Sequence, residues 1–142
     1  PELLAQLGEV GEGAAIDLRD PGCMGPLHTE LMLEHVFVRQ DGANWILSGL
    51  IDFEPSMVGH TEYEFCAVGI FITQGNPRLL RLFLSAYGYT TAALTPAFSR
   101  RMMALLLLHR YSNLRWFRNR AAGMAEMANL QQMEQYWFGL DG

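Results

Sequence analysis

Apolar and polar positions fall into two regimes along this chain of 142 residues. Between residues 36 and 51, two short apolar stretches, Val36 to Val38 and Trp45 to Ile51, flank Arg39-Gln40-Asp41-Gly42-Ala43. β-Branched and aromatic runs on either side of an Asp-Gly pair predict a β-hairpin. Beyond residue 76 the apolar positions recur at helical spacing. Leu79, Leu80, Phe83, Leu84 and Tyr87 form a stripe over Pro77 to Tyr87, which Gly88 ends. Thr95 and Pro96 stand in the preferred order for a helix start. From there Phe98, Met102, Met103, Leu106, Leu107, Tyr111, Leu114 and Phe117 predict one long buried helix. A third helix is predicted from about Met124 to Phe138.

The remaining segments are punctuated rather than periodic. Pro1 to Leu7 has the composition of a helix tail, and Gly8 to Gly25, rich in Gly and acids with a turn signal at Asp20-Pro21-Gly22, reads as a connecting loop. Pro55 and Gly59 interrupt the chain after the hairpin, and Thr61 with Glu64 three residues on has the form of a capping box. No internal repeat or low-complexity segment is present. The pattern predicts an α+β, mostly α-helical single domain over residues 1–142, and 50% apolar content suffices for one core.

Charge adds an asymmetry. Residues 1–76 carry twelve acids and two arginines, whereas residues 77–142 carry three acids and eight arginines. Solvated surface charge accounts for this more simply than a binding patch does. All ten basic residues are Arg. Cys23 and Cys66 are too few for a disulfide framework and lack metal spacing. No signal peptide or apolar run of membrane length is present, the longest run being near Leu105 to Leu108, so the expectation is a cytoplasmic protein without a membrane partner.

Candidate chemistry concentrates between Leu27 and Glu54, which hold His28, Glu30, Glu34, His35, Asp41, Asp52 and Glu54. A hairpin sets the loop before its first strand beside the end of its second, so His28 to His35 should lie next to Asp52. His28, Glu30 and His35 could be read as a two-histidine, one-carboxylate iron or zinc site. Three ligands within eight residues of one loop, with no His-x-x-x-His helical face, make poor geometry for it. Arg110, Arg115, Arg118 and Arg120 interleave with Tyr111, Trp116 and Phe117 as in single-strand binders. Net acidity and the apolar stripe through the same segment favour packing, so no nucleic-acid partner is expected. Trp116, Trp137 and Phe138 could line a pocket for an amine, although at helical spacing core aromatics are commoner. His60, and His109 within the predicted long helix, receive no functional assignment.

His28-Thr29-Glu30-Leu31, His35-Val36-Phe37-Val38 and Ile51-Asp52-Phe53 together resemble the aminoglycoside phosphotransferase and choline kinase family, a branch of the protein-kinase-like enzymes. That family writes a catalytic loop as His-Gly-Asp-Leu, three variable residues and Asn before an apolar strand, and a metal loop as Ile-Asp-Phe or Ile-Asp-Trp. Gly59 to Ala67 is similar to its helix start Gly-Asp-Pro-x-x-Asp-Leu-Ala. The resemblance runs from about Leu27 to Leu114 and implies a kinase-like C-terminal lobe whose hairpin carries the catalytic and metal loops. The implied reaction transfers the terminal phosphoryl group of ATP or GTP, with Mg2+, to a hydroxyl of a small aminoglycoside- or choline-like molecule. It casts Glu30 as base and His28 as loop organiser. Asp52 becomes the metal and nucleotide ligand, with His35 as a second contact. Glu64 either braces the catalytic loop or serves only as the helix cap.

Three departures qualify what the resemblance implies. Glu30 carries one methylene more than the family's Asp, a displacement of the kind that can cost on the order of a hundredfold in rate. His35 offers an imidazole nitrogen where the family offers an amide oxygen, and nitrogen suits zinc, manganese or iron better than magnesium. The chain also has no lysine to grip nucleotide phosphates. Gly8, Gly11 and Gly13 lack the preceding strand of a phosphate loop, and the chain begins at Pro1. The expectation is a fragment from which the N-terminal nucleotide lobe is absent, with an apolar face that invites the upstream segment or a second copy. The alternative is a pseudokinase-like lobe that has lost chemistry at Glu30 and His35 and acts as an interaction module.

Overall fold

The structure, a computed structural model, describes residue 16, residues 20–120 and residues 129–140. The expected helix tail at Pro1 to Leu7, the glycines at 8, 11 and 13, and the start of the third helix near Met124 lie outside the described residues. Those described form two small antiparallel sheets and five α-helices, an α+β arrangement. No helix among them is long and apolar enough to cross a membrane.

The predicted hairpin is β2 (Val36–Asp41) and β3 (Asn44–Leu50), paired antiparallel from Val36↔Leu50 to Asp41↔Asn44 with a bulge at Phe37/Val38. Gly42 turns the chain at φ 60°, a conformation glycine reaches without steric cost. The hairpin leaves Phe37, Val38, Trp45 and Leu47 more than half exposed.

A second sheet was not anticipated. β1 (Met24–Leu27) pairs antiparallel with β4 (Met57–His60), from Met24↔His60 to Leu27↔Met57. The segment read as loop through Gly25 is therefore partly strand. Gly25, Pro26 and Gly59 are breakers in a central strand, but a two-stranded ribbon has free edges where a missing N–H costs little. Asp20 caps a short 3-10 turn at Pro21–Cys23 by accepting from the Gly22 N–H at 2.9 Å.

The Thr61 capping box is not formed. A 3-10 turn at Thr61–Tyr63 is capped by His60, whose Nδ1 accepts from the Glu62 N–H, and α1 (Glu64–Ala67) follows directly. Glu64 is used elsewhere. The helix then widens into a π-helical turn, Val68–Ile72, closed by Thr73 N–H donating to the Val68 carbonyl at 2.9 Å.

Helix α2 (Pro77–Tyr87) has the predicted bounds. Asn76 accepts from the Arg78 and Leu79 N–H groups at its start, and Gly88 at φ 120° ends it. The single long helix expected from Thr95 through Phe117 is two. α3 (Pro96–Leu108) stops, and α4 (Leu114–Arg120) restarts after a turn over residues 109–113. Polar side chains there give the backbone competing partners. His109 Nδ1 accepts from the Tyr111 N–H at 3.3 Å, Tyr63 Oη accepts from the Arg110 N–H at 2.7 Å, and Asn113 Oδ1 accepts from the Trp116 N–H at 3.0 Å.

The core gathers α1, the π-helical turn, α2, α3 and α5 (Leu130–Phe138) around Phe65, Ile70, Leu84, Phe98, Met103 and Phe138. Ser99 Oγ donates to the Phe138 carbonyl at 2.7 Å across the α3–α5 contact. Gly69 lets α5 approach the π-helical turn. A Cβ there would lie 2.6 Å from Phe138 Cε1 and 3.3 Å from the Trp137 carbonyl oxygen, and Phe138 is wholly buried. Gly69→Ala should therefore lower stability by about 1–3 kcal/mol. Thermal denaturation checks this, and an unchanged midpoint would show that the contact yields freely.

Candidate active site

Three backbone segments converge on the candidate site: the loop after β1, the loop between β3 and β4, and the turn between α3 and α4. Glu64, at the start of α1, fixes the first. Its Oε2 accepts from the His28 N–H at 2.6 Å and the Thr29 N–H at 3.0 Å. Bonds of this kind to an ionised acceptor are among the stronger in proteins. They hold Thr29 at φ 67°, an unusual conformation for a β-branched residue, with its side chain completely buried. Thr29 Oγ1 donates to the Pro55 carbonyl at 3.1 Å, and Arg110 Nη1 donates to the same carbonyl at 3.1 Å. One oxygen thus ties all three segments together.

The hairpin base brings two histidines to the acid at its end. His28 Nε2 lies 2.7 Å from the Ile51 carbonyl, so that nitrogen carries the proton, and the ring packs edge-on against Phe53. Ile51 N–H donates to the His35 carbonyl at 3.1 Å. His35 Nδ1 lies 2.8 Å from the Glu30 carbonyl and must donate to it, which turns Nε2 toward Asp52 Oδ2 at 3.2 Å. Asp52 is itself left-handed at φ 67°, and its carboxylate is 42% exposed. Two acceptors that close require a proton or a cation between them. The His28 and His35 rings, with centres 5.7 Å apart, and the Asp52 carboxylate are therefore gathered at the hairpin base, which Glu30 joins through its backbone carbonyl, while Glu34, Asp41 and Glu54 stay at the surface.

Glu30 borders a cavity of about 290 Å³ lined also by Thr29, Ala67, Ile70, Phe71, Leu106, His109, Tyr111, Asn113, Trp116 and Phe117. It is the only carboxylate among those lining residues. Cys66 also borders the cavity, and burial pushes its thiol far above the usual range, so it is inert. Of the three aromatics considered for an amine pocket, Trp137 and Phe138 are core residues. Only Trp116 reaches the cavity, and the Arg120 guanidinium already lies 5.2 Å from its ring centre.

The two-histidine, one-carboxylate reading does not survive the geometry. His28 Nε2 and His35 Nδ1 both face carbonyls, and no group of three or more His, Cys, Asp or Glu able to hold a metal occurs among the described residues. The donor pair that does exist, an imidazole nitrogen and a carboxylate, is compatible with a divalent cation. Its nitrogen favours a borderline metal such as manganese over magnesium. His109 is the residue that the sequence pattern concealed. The helical period runs straight through it, and only the polar cluster at residues 109–113 signals that the helix breaks there.

A sequence model of the phosphotransferase enzyme family matches residues 2–100. That span is well over half of the chain and contains both loops, and the protein belongs to this family. No curated protein and no solved structure matches it. The far wall of the cavity, from Leu106 to Phe117, lies beyond the matched residues.

Proposed function

We propose that the chain is the acceptor-binding, C-terminal lobe of a phosphotransferase that moves the terminal phosphoryl group of ATP or GTP to a hydroxyl of a small molecule. The observation that carries this reading is the His35–Asp52 pair, 3.2 Å apart, with the other imidazole nitrogen committed to the Glu30 carbonyl. Asp52 and His35 would hold the divalent cation, which when bound neutralises charge on the nucleotide phosphates. Glu30 takes the proton of the acceptor hydroxyl as its oxygen bonds to phosphorus and the nucleotide diphosphate leaves. His28 sets the spacing between the two loops, and Glu64 holds the catalytic loop in its left-handed turn.

The chain has no lysine to grip nucleotide phosphates. The exposed apolar face of the hairpin, including Phe37, Trp45 and Leu47, gives a nucleotide lobe a surface to cover. Calorimetric titration of the complete protein with Mg-ATP and Mn-ATP, beside Asp52→Ala, tests the proposal. The variant should bind at least about tenfold more weakly, since even partners behind a metal ligand are worth that much. No binding by the intact protein, or equal binding by both, would leave an interaction module as the better description.

A further inference from the structure

Resting on that reading, the cavity beside Glu30 also indicates the charge of the acceptor. The arginines interleaved with aromatic residues past the end of α3 border it. Phe71 and Trp116 both line the cavity with ring centres 5.6 Å apart, and Trp116 reaches solvent. The Arg120 guanidinium carbon lies 5.7 Å from the Phe71 centre and 5.2 Å from the Trp116 centre, so one cation is held against both rings. A guanidinium held by its face keeps its N–H groups at its edge, where they match a carboxylate bidentately. Those of Arg120 make no hydrogen bond or ion pair among the described residues, whereas Arg100 and Arg101 are matched with Glu134 and Glu62. Arg120 is exposed, so an incoming anion can reach it. Arg110 adds a second positive charge, 5.3 Å from the centre of the lining residue Tyr111.

The rest of the cavity restricts what the anion is attached to. Glu30 is the only carboxylate among the lining residues, and Ala67, Ile70, Leu106 and Phe117 make the surroundings apolar. Glu30 and Arg120 form no ion pair, so the two charges stand apart. An acceptor whose hydroxyl meets Glu30 must then carry a negative charge away from that carboxylate, beyond an apolar span. A cationic amine would meet two guanidinium groups beside the aromatic rings that could attract it, with only Glu30 to offset them. One guanidinium without an acid of its own matches one carboxylate.

We propose that the acceptor is a hydroxy acid, an apolar molecule with its hydroxyl at Glu30 and its carboxylate held by the Arg120 guanidinium. Arg120 sets specificity here, and the base remains Glu30.

The test uses the full chain without nucleotide, so its outcome is independent of the Asp52 titration. A phosphotransferase with a different acceptor would pass that titration and fail this one. para-Hydroxymethylbenzoate, benzyl alcohol and para-aminomethylbenzyl alcohol share a ring and a hydroxymethyl group and differ in charge. Each is titrated while the Trp116 indole N–H is followed by NMR. The benzoate should bind roughly tenfold more tightly than benzyl alcohol, the worth of one charge-assisted contact, and the amine more weakly than benzyl alcohol. Arg120→Gln should remove the preference for the benzoate while changing benzyl alcohol by less than about threefold, which lost packing alone would not produce. Arg120→Lys, which keeps the charge without the planar fork, should restore part of the preference. If Arg120→Gln loses benzyl alcohol binding as well, the Lys variant decides: a retained preference supports the assignment and a lost one overturns it. A preference that persists in Arg120→Gln, an amine bound as tightly as the benzoate, or no shift with any of the three also overturns it.

Discussion

Arg101→Ala is expected to destabilise the protein by about 3–5 kcal/mol, the usual consequence of leaving a buried carboxylate without its counter-ion. Glu62 is 6% exposed. Arg101 grips it bidentately, with Nη2 to Oε1 and Nε to Oε2 both at 3.0 Å, and Tyr89 Oη donates to Oε1 at 3.1 Å. Burial, joined by the Glu62 charge, pushes the Tyr89 phenol far above its ordinary range, so it stays a donor. The guanidinium, bonded to Glu62, is likewise pushed up and remains charged. Chemical denaturation should show the loss as a lower midpoint at unchanged slope. Adding Glu62→Leu to an Arg101→Leu background should recover most of it, because the orphaned charge then disappears. A single variant with wild-type stability would show that the pair contributes nothing.

Glu64→Ala should separate activity from folding. The substitution removes the acceptor of two N–H groups, each costing about 1–3 kcal/mol if left unsatisfied. The loop then keeps only the Thr29 Oγ1 bond to the Pro55 carbonyl to hold Thr29 left-handed, and Glu30, the next residue, should shift with it. On the proposed role of Glu30 as base, a displacement near 1 Å would lower turnover by on the order of a hundredfold. Glu64→Gln retains one oxygen that can accept from both amides, so it should lose far less of either. Parallel measurement of thermal midpoint and phosphoryl transfer separates the cases. Full turnover by Glu64→Ala would show that the brace is dispensable.

Legibility from sequence followed the range of the interactions. The hairpin and α2 were readable because their signals are local: an Asp-Gly turn between β-branched runs, and an apolar stripe closed by Gly88. β1 and β4 were not, since Met24–Leu27 and Met57–His60 are short and carry Pro26, Gly25 and Gly59, and only pairing between residues thirty or more apart makes them strands. Glu64 illustrates a different obstacle. Its spacing from Thr61 satisfies a capping rule, yet its carboxylate serves a loop 35 residues upstream. Nothing in a local window distinguishes these uses. The break at residues 109–113 was hidden because Tyr111 and Leu114 continue the apolar period, while the side chains that stop the helix are polar ones lying between. The proximity of His35 to Asp52, in contrast, follows from the hairpin alone.

The Pro55 carbonyl, bonded at once by Thr29 Oγ1 and Arg110 Nη1, has a consequence for how the molecule moves. A carbonyl has two lone pairs, and both are engaged across segments far apart in sequence. The loop that carries Pro55 cannot swing outward without releasing both bonds at once, whereas Thr29 or Arg110 can leave by breaking only its own. Displacement of the segment between β3 and β4, which also carries Asp52, is thereby opposed from two sides.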